Sequence, residues 1–191
     1  MKAVILLGTL KKEEKSNTEI LSKFLARRMK SKKINSEIVK LVDYNVLPGT
    51  YSDMGESDEW PKVLKKILDS NIIIFATPIW WGGHSSETQR VIERLDEIHD
   101  EILKGKKSRL EGKIGGIVIT GDSDGAQHII GNISNFFNAL GIVFPPYATL
   151  SVLWEGQKKE AKTSQKELLK KYQKEYLQTA DTMIKELKKF V

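Results

Sequence analysis

Cysteine is absent from this chain of 191 residues, which excludes disulfide bonds, thiol catalysis and iron–sulfur clusters held by cysteine. Long apolar runs are also absent, so no segment of the sequence is a candidate membrane span. The first apolar run ends at Leu7 and is too short for a signal peptide, because Gly8 and two lysines follow it closely. We therefore expect a cytoplasmic protein with one domain over residues 1–191.

Two common phosphate-binding signatures are missing after the first apolar run. The segment from Gly8 to Thr18 does not contain G-x-G-x-x-G, which argues against a Rossmann dinucleotide site. It does not contain G-x-x-x-x-G-K-[ST] either, which excludes a P-loop. What remains in this segment is a cluster of hydroxyl side chains and one amide.

The chain carries an excess of positive charge, with 31 Lys and Arg against 25 Asp and Glu and a formal net charge of +6. Nucleic-acid binding, attraction to anionic small molecules and a solvated lysine-rich surface are three explanations. Between Lys158 and Val191, ten lysines stand against five acids. These lysines interleave with a helical apolar stripe, so we interpret them as a solvated surface. No nucleic-acid recognition motif accompanies them, and we expect no nucleic-acid partner.

Strand-like and helix-like patterns alternate along the whole chain. Apolar runs predict five strands, at 4–7, 36–42, 71–76, 114–120 and, broken by two prolines, at 142–144 and 148–154. Helical apolar spacing predicts five helices, one of them from Ser86 to about Leu103. This alternation predicts an α/β fold, a three-layer sandwich around a parallel sheet with right-handed crossovers. Five strands fit the flavodoxin-like order 2-1-3-4-5 better than a six-stranded dinucleotide fold.

Helix starts and ends are marked by local patterns. Three capping boxes pair Ser16 with Glu19, Ser86 with Gln89, and Ser164 with Glu167. Asp58 is placed to cap the second helix, and Gly141 is placed to end the fourth.

The loop after the first predicted strand brings Thr9, Ser16, Asn17 and Thr18 to the start of a predicted helix. Free backbone N–H groups and the helix dipole make such a point an anion site, and hydroxyls add neutral donors. A phosphate monoester suits this loop. The alternative is that Ser16 and Thr18 only cap the helix, and the loop by itself favours neither.

The loop after the third predicted strand reads Pro78-Ile79-Trp80-Trp81-Gly82-Gly83 and leads into a helix. Its glycines let backbone approach the edge of a ring, and either indole can stack on a planar ligand. The alternative is that the indoles pack under the loop or in a subunit interface, which we expect for one of the two.

The loop after the fourth predicted strand reads Thr120-Gly121-Asp122-Ser123-Asp124-Gly125. Its glycines allow positive φ and expose backbone N–H groups. Paired carboxylates suggest Mg²⁺, but the rest of a calcium-type loop is missing, and we expect no metal. The two acids can equally cap the following helix.

These three loops lie at the carboxyl ends of the first, third and fourth strands, where ligands bind in open α/β sheets. They would flank one crevice with a phosphate pocket, an aromatic clamp and a backbone-rich edge. This set predicts a mononucleotide with a large flat ring, namely FMN.

The same three segments resemble those of NADPH-dependent FMN reductases, a branch of the flavodoxin-like superfamily, over roughly residues 1–155. Arg94 on the helix after the second loop belongs to the likeness. The sequence departs from the family in having Lys11 near where arginine is usual, Trp80 in place of the more usual tyrosine, and two acids in the third loop.

The resemblance implies a set of FMN contacts. The phosphate would be held by Thr9, Ser16, Asn17 and Thr18, with Lys11 beside them. The isoalloxazine ring would be lined by Pro78, Ile79, Trp80, Trp81, Gly82 and Gly83. Its pyrimidine edge or the ribityl chain would meet Thr120, Gly121, Asp122 and Gly125.

The resemblance also implies an FMN-dependent oxidoreductase that passes electrons from NAD(P)H to a quinone, a free flavin or a similar small acceptor. The chemistry belongs to the cofactor, so no catalytic acid–base residue is required. The alternative is a flavodoxin-like electron carrier without substrate turnover, but such carriers are typically acidic.

Relatives in this family commonly complete the flavin pocket with a second subunit, which predicts a homodimer or homotetramer. The long loop from Pro48 to Glu59 is the candidate for this contact, through Tyr51 or Met54.

Overall fold

The structure, a computed structural model, describes residues 1–191 and contains one parallel sheet of five strands in the order β2-β1-β3-β4-β5. The strands are β1 (Lys2–Leu7), β2 (Asn35–Lys40), β3 (Ile72–Pro78), β4 (Ile114–Gly121) and β5 (Thr149–Leu153). All four neighbouring pairs are parallel. This confirms the predicted flavodoxin-like fold.

Helices cover both faces of the sheet. They are α1 (Asn17–Ser31), α2 (Trp60–Leu68), α3 (Ser86–Arg94), α4 (Asp96–Leu103), α5 (Ala126–Ala139), α6 (Gln165–Lys171) and α7 (Leu177–Lys189), with a π-helical turn at Tyr172–Tyr176 and 3₁₀ turns at Leu41–Asp43 and Glu155–Gln157. None of these helices has both the length and the apolar character that crossing a membrane requires.

The core is divided by the sheet into two clusters of 23 buried residues each. Along β1, Ile5 and Leu7 pack towards α1 and the C-terminal helices, whereas Val4 and Leu6 pack towards the helices of the opposite face. This alternation explains the continuous apolar runs in the sequence, because both faces of a central parallel strand are covered.

The prediction of a single helix from Ser86 to Leu103 is wrong, since α3 and α4 are separated at Leu95. The N–H of Glu97 leaves the helix ladder and donates to the carbonyl oxygen of Thr50 at 3.1 Å, which interrupts the helix. The prediction of Ser86 as the N-cap of this helix is also wrong by one residue. Ser85 caps α3, because its buried hydroxyl accepts the N–H of Thr88 and donates to the carbonyl oxygen of Gly8.

Other helix ends follow the sequence patterns to different degrees. The box of Ser164 with Glu167 is complete, and Gly141 follows α5 with φ 74°. Ser16 caps α1, but the carboxylate of Glu19 pairs with Lys23 and Lys40 instead of closing a box. The N-cap position of α2 is Glu59, but the carboxylate of Asp58 accepts the N–H of Trp60, the first residue of the helix, and also pairs with a buried arginine.

The predicted broken fifth strand is shorter than expected. Only Thr149–Leu153 pairs regularly with β4, and the segment before the two prolines contributes a single bridge between Val143 and Ile114. The second strand ends at Lys40. Leu41 and Val42, which were predicted to belong to this strand, lie in a 3₁₀ turn.

Candidate cofactor site

The three loops predicted from the sequence meet in one cleft at the carboxyl edge of the sheet. Its volume is about 620 Å³, a size typical of small-molecule sites. It is lined by Thr9, Leu10, Lys11, Lys15, Ser16, Asn17, Thr18, Pro78, Ile79, Trp80, Trp81, Gly82, Thr120, Gly121, Asp122, Ser123 and residues 157–161. Every predicted site residue lines it except Gly83 and Gly125, which shape its walls.

The loop between β1 and α1 forms the polar end of the cleft. The buried hydroxyl oxygen of Ser16 accepts the N–H of Glu19 at 3.2 Å, and that of Thr9 accepts the N–H of Lys11 at 3.2 Å. Both oxygens act as acceptors, so both hydroxyl protons remain for an anion. The backbone N–H groups of Ser16, Asn17 and Thr18 have no protein acceptor. Capping the helix and binding a phosphate are therefore compatible roles for Ser16.

Two further side chains of this loop are partly used within the protein. The buried hydroxyl oxygens of Thr18 and Thr120 lie 2.6 Å apart, which joins the first loop to β4. The side-chain amide of Asn17 donates to the carbonyl oxygen of Gln157 at 3.0 Å. These contacts fix the start of α1 and leave only part of each side chain's hydrogen-bonding capacity for a ligand.

Positive charge exceeds negative charge in the lining of the cleft. The lysines Lys11, Lys15, Lys158 and Lys159 stand against the acids Asp122 and Glu160. The ammonium group of Lys11 donates to the carbonyl oxygen of Lys15 at 3.2 Å, and that of Lys15 donates to the carbonyl oxygen of Thr163. Hydroxyls, free N–H groups and ammonium groups together form a donor set suited to a phosphate.

A tight turn after β3 carries the two indoles. The N–H of Trp80 donates to the oxygen of Gly83 at 2.8 Å, and the N–H of Gly83 donates back at 2.9 Å. Between them, Trp81 has φ 49° and Gly82 has φ 76°, the conformations of a type I′ turn. Trp80 is 40% exposed and Trp81 fully exposed. Trp81 therefore does not pack under the loop, whereas the larger part of the Trp80 surface is covered.

The loop after β4 closes the cleft beside this turn. The N–H of Ile79 donates to the oxygen of Thr120 at 2.9 Å, which links the two loops. Asp122 and Asp124 are exposed, and the N-cap of α5 is Gly125, with no side-chain cap hydrogen bond, so the acids do not cap this helix. No group of three or more His, Asp or Glu side chains is close enough together to hold a metal ion.

The sequence analysis missed the wall formed by residues 157–161. The buried amide of Gln157 donates to the oxygens of Gly121 at 3.0 Å and Val152 at 2.8 Å, and Tyr172 donates to its side-chain oxygen at 2.7 Å. Burial raises the pKa of Tyr172 well above its usual range, so this hydroxyl stays a donor. Only Lys158 and Lys159 could have indicated this wall from the sequence. They precede α6, so they do not belong to the solvated face of the C-terminal helices.

Arg94, part of the resemblance, lies outside the cleft and under the long loop after β2. Its guanidinium donates to the oxygens of Tyr51 at 2.9 Å and Leu47 at 2.7 Å and to the carboxylate of Asp58 at 2.5 Å. The Arg94 and Asp58 side chains are both fully buried. Tyr51 and Met54 are exposed at the surface of this loop and do not line the cleft.

Asp58 has an unusually low pKa. Its burial, the largest single contribution, raises the pKa. The opposing hydrogen bonds from Arg94 and from the backbone N–H groups of Trp60, Met54 and Leu47 together outweigh it and lower the pKa to about 2. This carboxylate therefore organises the loop in its charged form.

The cleft has the polarity that FMN requires. Its hydroxyl and lysine end suits a phosphate monoester, whereas Ile79, Trp80 and Trp81 offer apolar and aromatic surface for a flat ring. The backbone of Thr120 and Gly121 lies beside this surface.

Two curated relatives are similar to 82% of this chain. A divalent metal cation transporter, MntH, of Mycobacterium bovis is 32% identical over 162 residues. An 8-demethyl-8-aminoriboflavin-5′-phosphate synthase of Streptomyces davaonensis is 28% identical over 166 residues. The chain spans 23% of the first and 64% of the second, which is less than two thirds of either.

Solved structures share the fold. RosB, with a bound 8-demethyl-8-formylriboflavin-5′-phosphate intermediate, has a TM-score of 0.81 and 24% identity, covering 100% of this chain and 78% of that chain. FerB, an NAD(P)H:acceptor oxidoreductase of Paracoccus denitrificans, has a TM-score of 0.64 and 17% identity, covering 99% and 98%. At these identities the similarity concerns the fold.

The family assignment comes from the sequence match. Residues 1–153 match the model of the NADPH-dependent FMN reductases, whose members use FMN and NAD(P)H. This match includes all three loops that line the cleft. The chain belongs to the NADPH-dependent FMN reductase family, and FMN is its cofactor.

Proposed function

We propose that this chain is an FMN-dependent NAD(P)H oxidoreductase whose acceptor is a quinone, a free flavin or a similar planar molecule. One observation carries the proposal. The hydroxyl loop, the lysines and the exposed indoles, which are far apart in the sequence, line the same cleft.

The residues of the cleft divide into three groups in this proposal. Thr9, Lys11, Ser16 and the N–H groups of Asn17 and Thr18 hold the phosphate. Pro78, Ile79, Trp80 and Gly82 lie along the ring, and Thr120–Asp122 meets its pyrimidine edge or the ribityl chain. Gly83 and Gly125 act indirectly, by shaping the turn. Bound FMN would supply the hydride-transfer chemistry between NAD(P)H and the acceptor, and the residues of the cleft bind and orient it.

We also propose that residues 1–191 act as one FMN-binding domain in a homodimer or homotetramer. The exposed Tyr51 and Met54 support this, since exposed aromatic and apolar side chains mark interfaces or ligand grooves. Arg94 holds the loop that carries Tyr51 and Met54, so these side chains are presented in a fixed position. Light scattering at micromolar concentration should give at least twice 21.7 kDa. A monomer that still binds FMN and turns over would contradict this.

The absorbance spectrum of the purified protein and anaerobic stopped-flow reduction test the proposed activity. The protein should bind FMN stoichiometrically, be yellow, and lose its flavin colour on mixing with NADPH or NADH. Steady-state turnover with a quinone should be ping-pong. A colourless protein that does not quench added FMN fluorescence would refute the proposal. Bound flavin that stays oxidised would favour an electron carrier.

A second candidate is an enzyme that modifies a riboflavin phosphate. The observation behind it is the 28% identity to the aminoriboflavin-phosphate synthase. Mass spectrometry of the flavin after many turnovers separates the two. An unchanged mass supports the reductase, and conversion of the flavin supports the second candidate.

A further inference from the structure

Trp81 combines a strained backbone with complete exposure at the mouth of the cleft. Its φ of 49° lies in the left-handed region, which is unfavourable for a bulky side chain. Such strain persists where the surrounding structure enforces it, and it is concentrated at ligand sites. A fully exposed indole contributes no packing to its own chain. The stability of the isolated chain therefore gives no reason for tryptophan at this position.

The turn that carries Trp81 is braced on three sides. The hydrogen bonds between Trp80 and Gly83 close it, and the N–H of Ser85 after it donates to the hydroxyl of Thr77 at 3.0 Å. Its backbone also rests on the start of α5. A Cβ added to Gly125 would lie 2.8 Å from the Cα and oxygen of Gly82. The indole is therefore held out from a rigid support.

Two other apolar side chains of the cleft are partly exposed. Trp80 and Leu10 also line the cleft and are 40% and 43% exposed. Trp80 is the less exposed of the two indoles and is the better partner for a ring inside the cleft. Trp81 is left free to contact a ring that arrives from solvent.

We propose that Trp81 is the docking platform for the planar ring of the electron acceptor, which stacks on the indole at the mouth of the cleft. This rests on the proposed function and names its acceptor class as flat aromatic molecules such as quinones. Reducing a quinone to a hydroquinone takes two electrons and two protons. NAD(P)H supplies both electrons and one proton as a hydride, and solvent supplies the other proton.

Tyr147 provides a matched control. It also has a left-handed backbone, with φ 59°, and is 74% exposed. It precedes β5, so it lies at the amino edge of the sheet, opposite the cleft. Replacing each ring by asparagine, which tolerates the left-handed region, removes the aromatic surface and keeps the turn.

The experiment compares Trp81→Asn, Trp81→Phe and Tyr147→Asn, each loaded with FMN. The probe is 1,4-naphthoquinone-2-sulfonate, used for calorimetric binding to the oxidised protein and as acceptor. Trp81→Asn should raise both the Kd and the KM for this quinone by about tenfold, which is the loss of affinity expected when one aromatic stacking contact is removed. Trp81→Phe should recover most of this loss. The KM for ferricyanide, which has no ring, should change much less than the KM for the quinone.

Stability provides a readout that does not depend on activity. The Tm of both asparagine variants should stay the same or rise by about 2 °C, because strain is relieved and no buried contact is lost. Tyr147→Asn should leave the quinone Kd and KM unchanged.

Three results would overturn the proposal. One is an unchanged Kd and KM for the quinone in Trp81→Asn while FMN still binds and is reduced. Another is a fall of several degrees in its Tm, which would give the indole a structural role. The third is a smaller particle in light scattering with unchanged quinone binding, which would assign the indole to a contact between copies of the chain. Failure of the proposed function itself would appear differently, as absence of FMN binding or of reduction in the wild-type protein.

Discussion

Two connections from a strand to a helix differ in whether their side chains find partners within the chain. One is the loop from Tyr44 to Glu59 after β2, and the other is the turn from Trp80 to Gly83 after β3. The long loop is held by the buried pair of Arg94 and Asp58 and by backbone hydrogen bonds. The short turn is strained and leaves an indole fully exposed. The comparison teaches that loop length is a poor guide to function, whereas strain and unused surface are better ones.

The long loop is also connected to α4. The N–H of Ser52 donates to the carboxylate of Glu97 at 2.5 Å, and the N–H of Glu97 donates to the oxygen of Thr50 at 3.1 Å. Hydrogen bonds from the hydroxyl and the backbone of Ser52 lower the pKa of Glu97. The buried charge of this loop, Asp58, is therefore paired, as burial requires.

The largest expected effect comes from Arg94→Met, which removes one partner of the buried pair. It should lower the free energy of unfolding by about 3–5 kcal/mol, because the charge of Asp58 would remain buried without a partner. Urea unfolding measures this. The control is Lys62→Met, which breaks a surface pair with Glu59 at 2.7 Å and should cost less than about 1 kcal/mol. If both variants lowered the free energy of unfolding equally, the buried pair would stabilise the loop no more than a surface ion pair does.

Acid should weaken the same loop through Asp58. Its pKa in the folded protein is about 2, below the ordinary value of 3.8. The carboxylate therefore stabilises the fold above about pH 4, and this contribution, about 2 kcal/mol, is lost as the pH falls towards 2. Urea unfolding of wild type and Asp58→Asn between pH 6 and 2 checks this. The stability difference between the two proteins should shrink over that range, and a constant difference would contradict the low pKa.

Ser16→Ala tests the cleft side of the comparison. It should weaken FMN binding by about 1.5 kcal/mol, roughly tenfold in Kd, because a donor to a charged phosphate is lost. Riboflavin, which lacks the phosphate, should bind almost as before. The control is Ser164→Ala, a helix cap that does not line the cleft and should affect stability alone. Equal losses for FMN and riboflavin would make Ser16 a cap without a ligand role.

Asp122→Asn should have the smallest effect, a higher reduction potential of the bound flavin. Reduction places negative charge on the ring, and a nearby carboxylate disfavours it. A unit charge about 4 Å away in water is worth about 1 kcal/mol, or about 20 mV for a two-electron couple. Redox titration at low and high salt measures the shift, which salt should reduce. Asp124→Asn is the control, because Asp124 does not line the cleft and should shift the potential less.

Much of the fold and part of the site were predictable from local patterns. Strands covered on both faces must be apolar throughout, so Val4–Leu7 and the later runs identified the central strands and hence the parallel sheet. Because the carboxyl ends of these strands meet at one edge, the three loops had to converge there. Their residue types were sufficient to predict a cleft for a phosphate and a flat ring.

Other features depended on contacts between segments that are distant in the sequence. The break at Leu95 arises because Glu97 bonds to the long loop, and Gln157 reaches the cleft because Tyr172 and Gly121 hold its amide. No local pattern encodes such partners.

The sequence by itself determined the layers of the protein and the edge of the sheet at which the cleft lies, because burial periodicity and strand direction are local properties. Only the tertiary structure decided that Arg94 supports the long loop after β2, and that Trp81 projects freely from a braced, left-handed turn. Partner groups and backbone strain are set by packing between elements, and the residue types alone do not specify that packing.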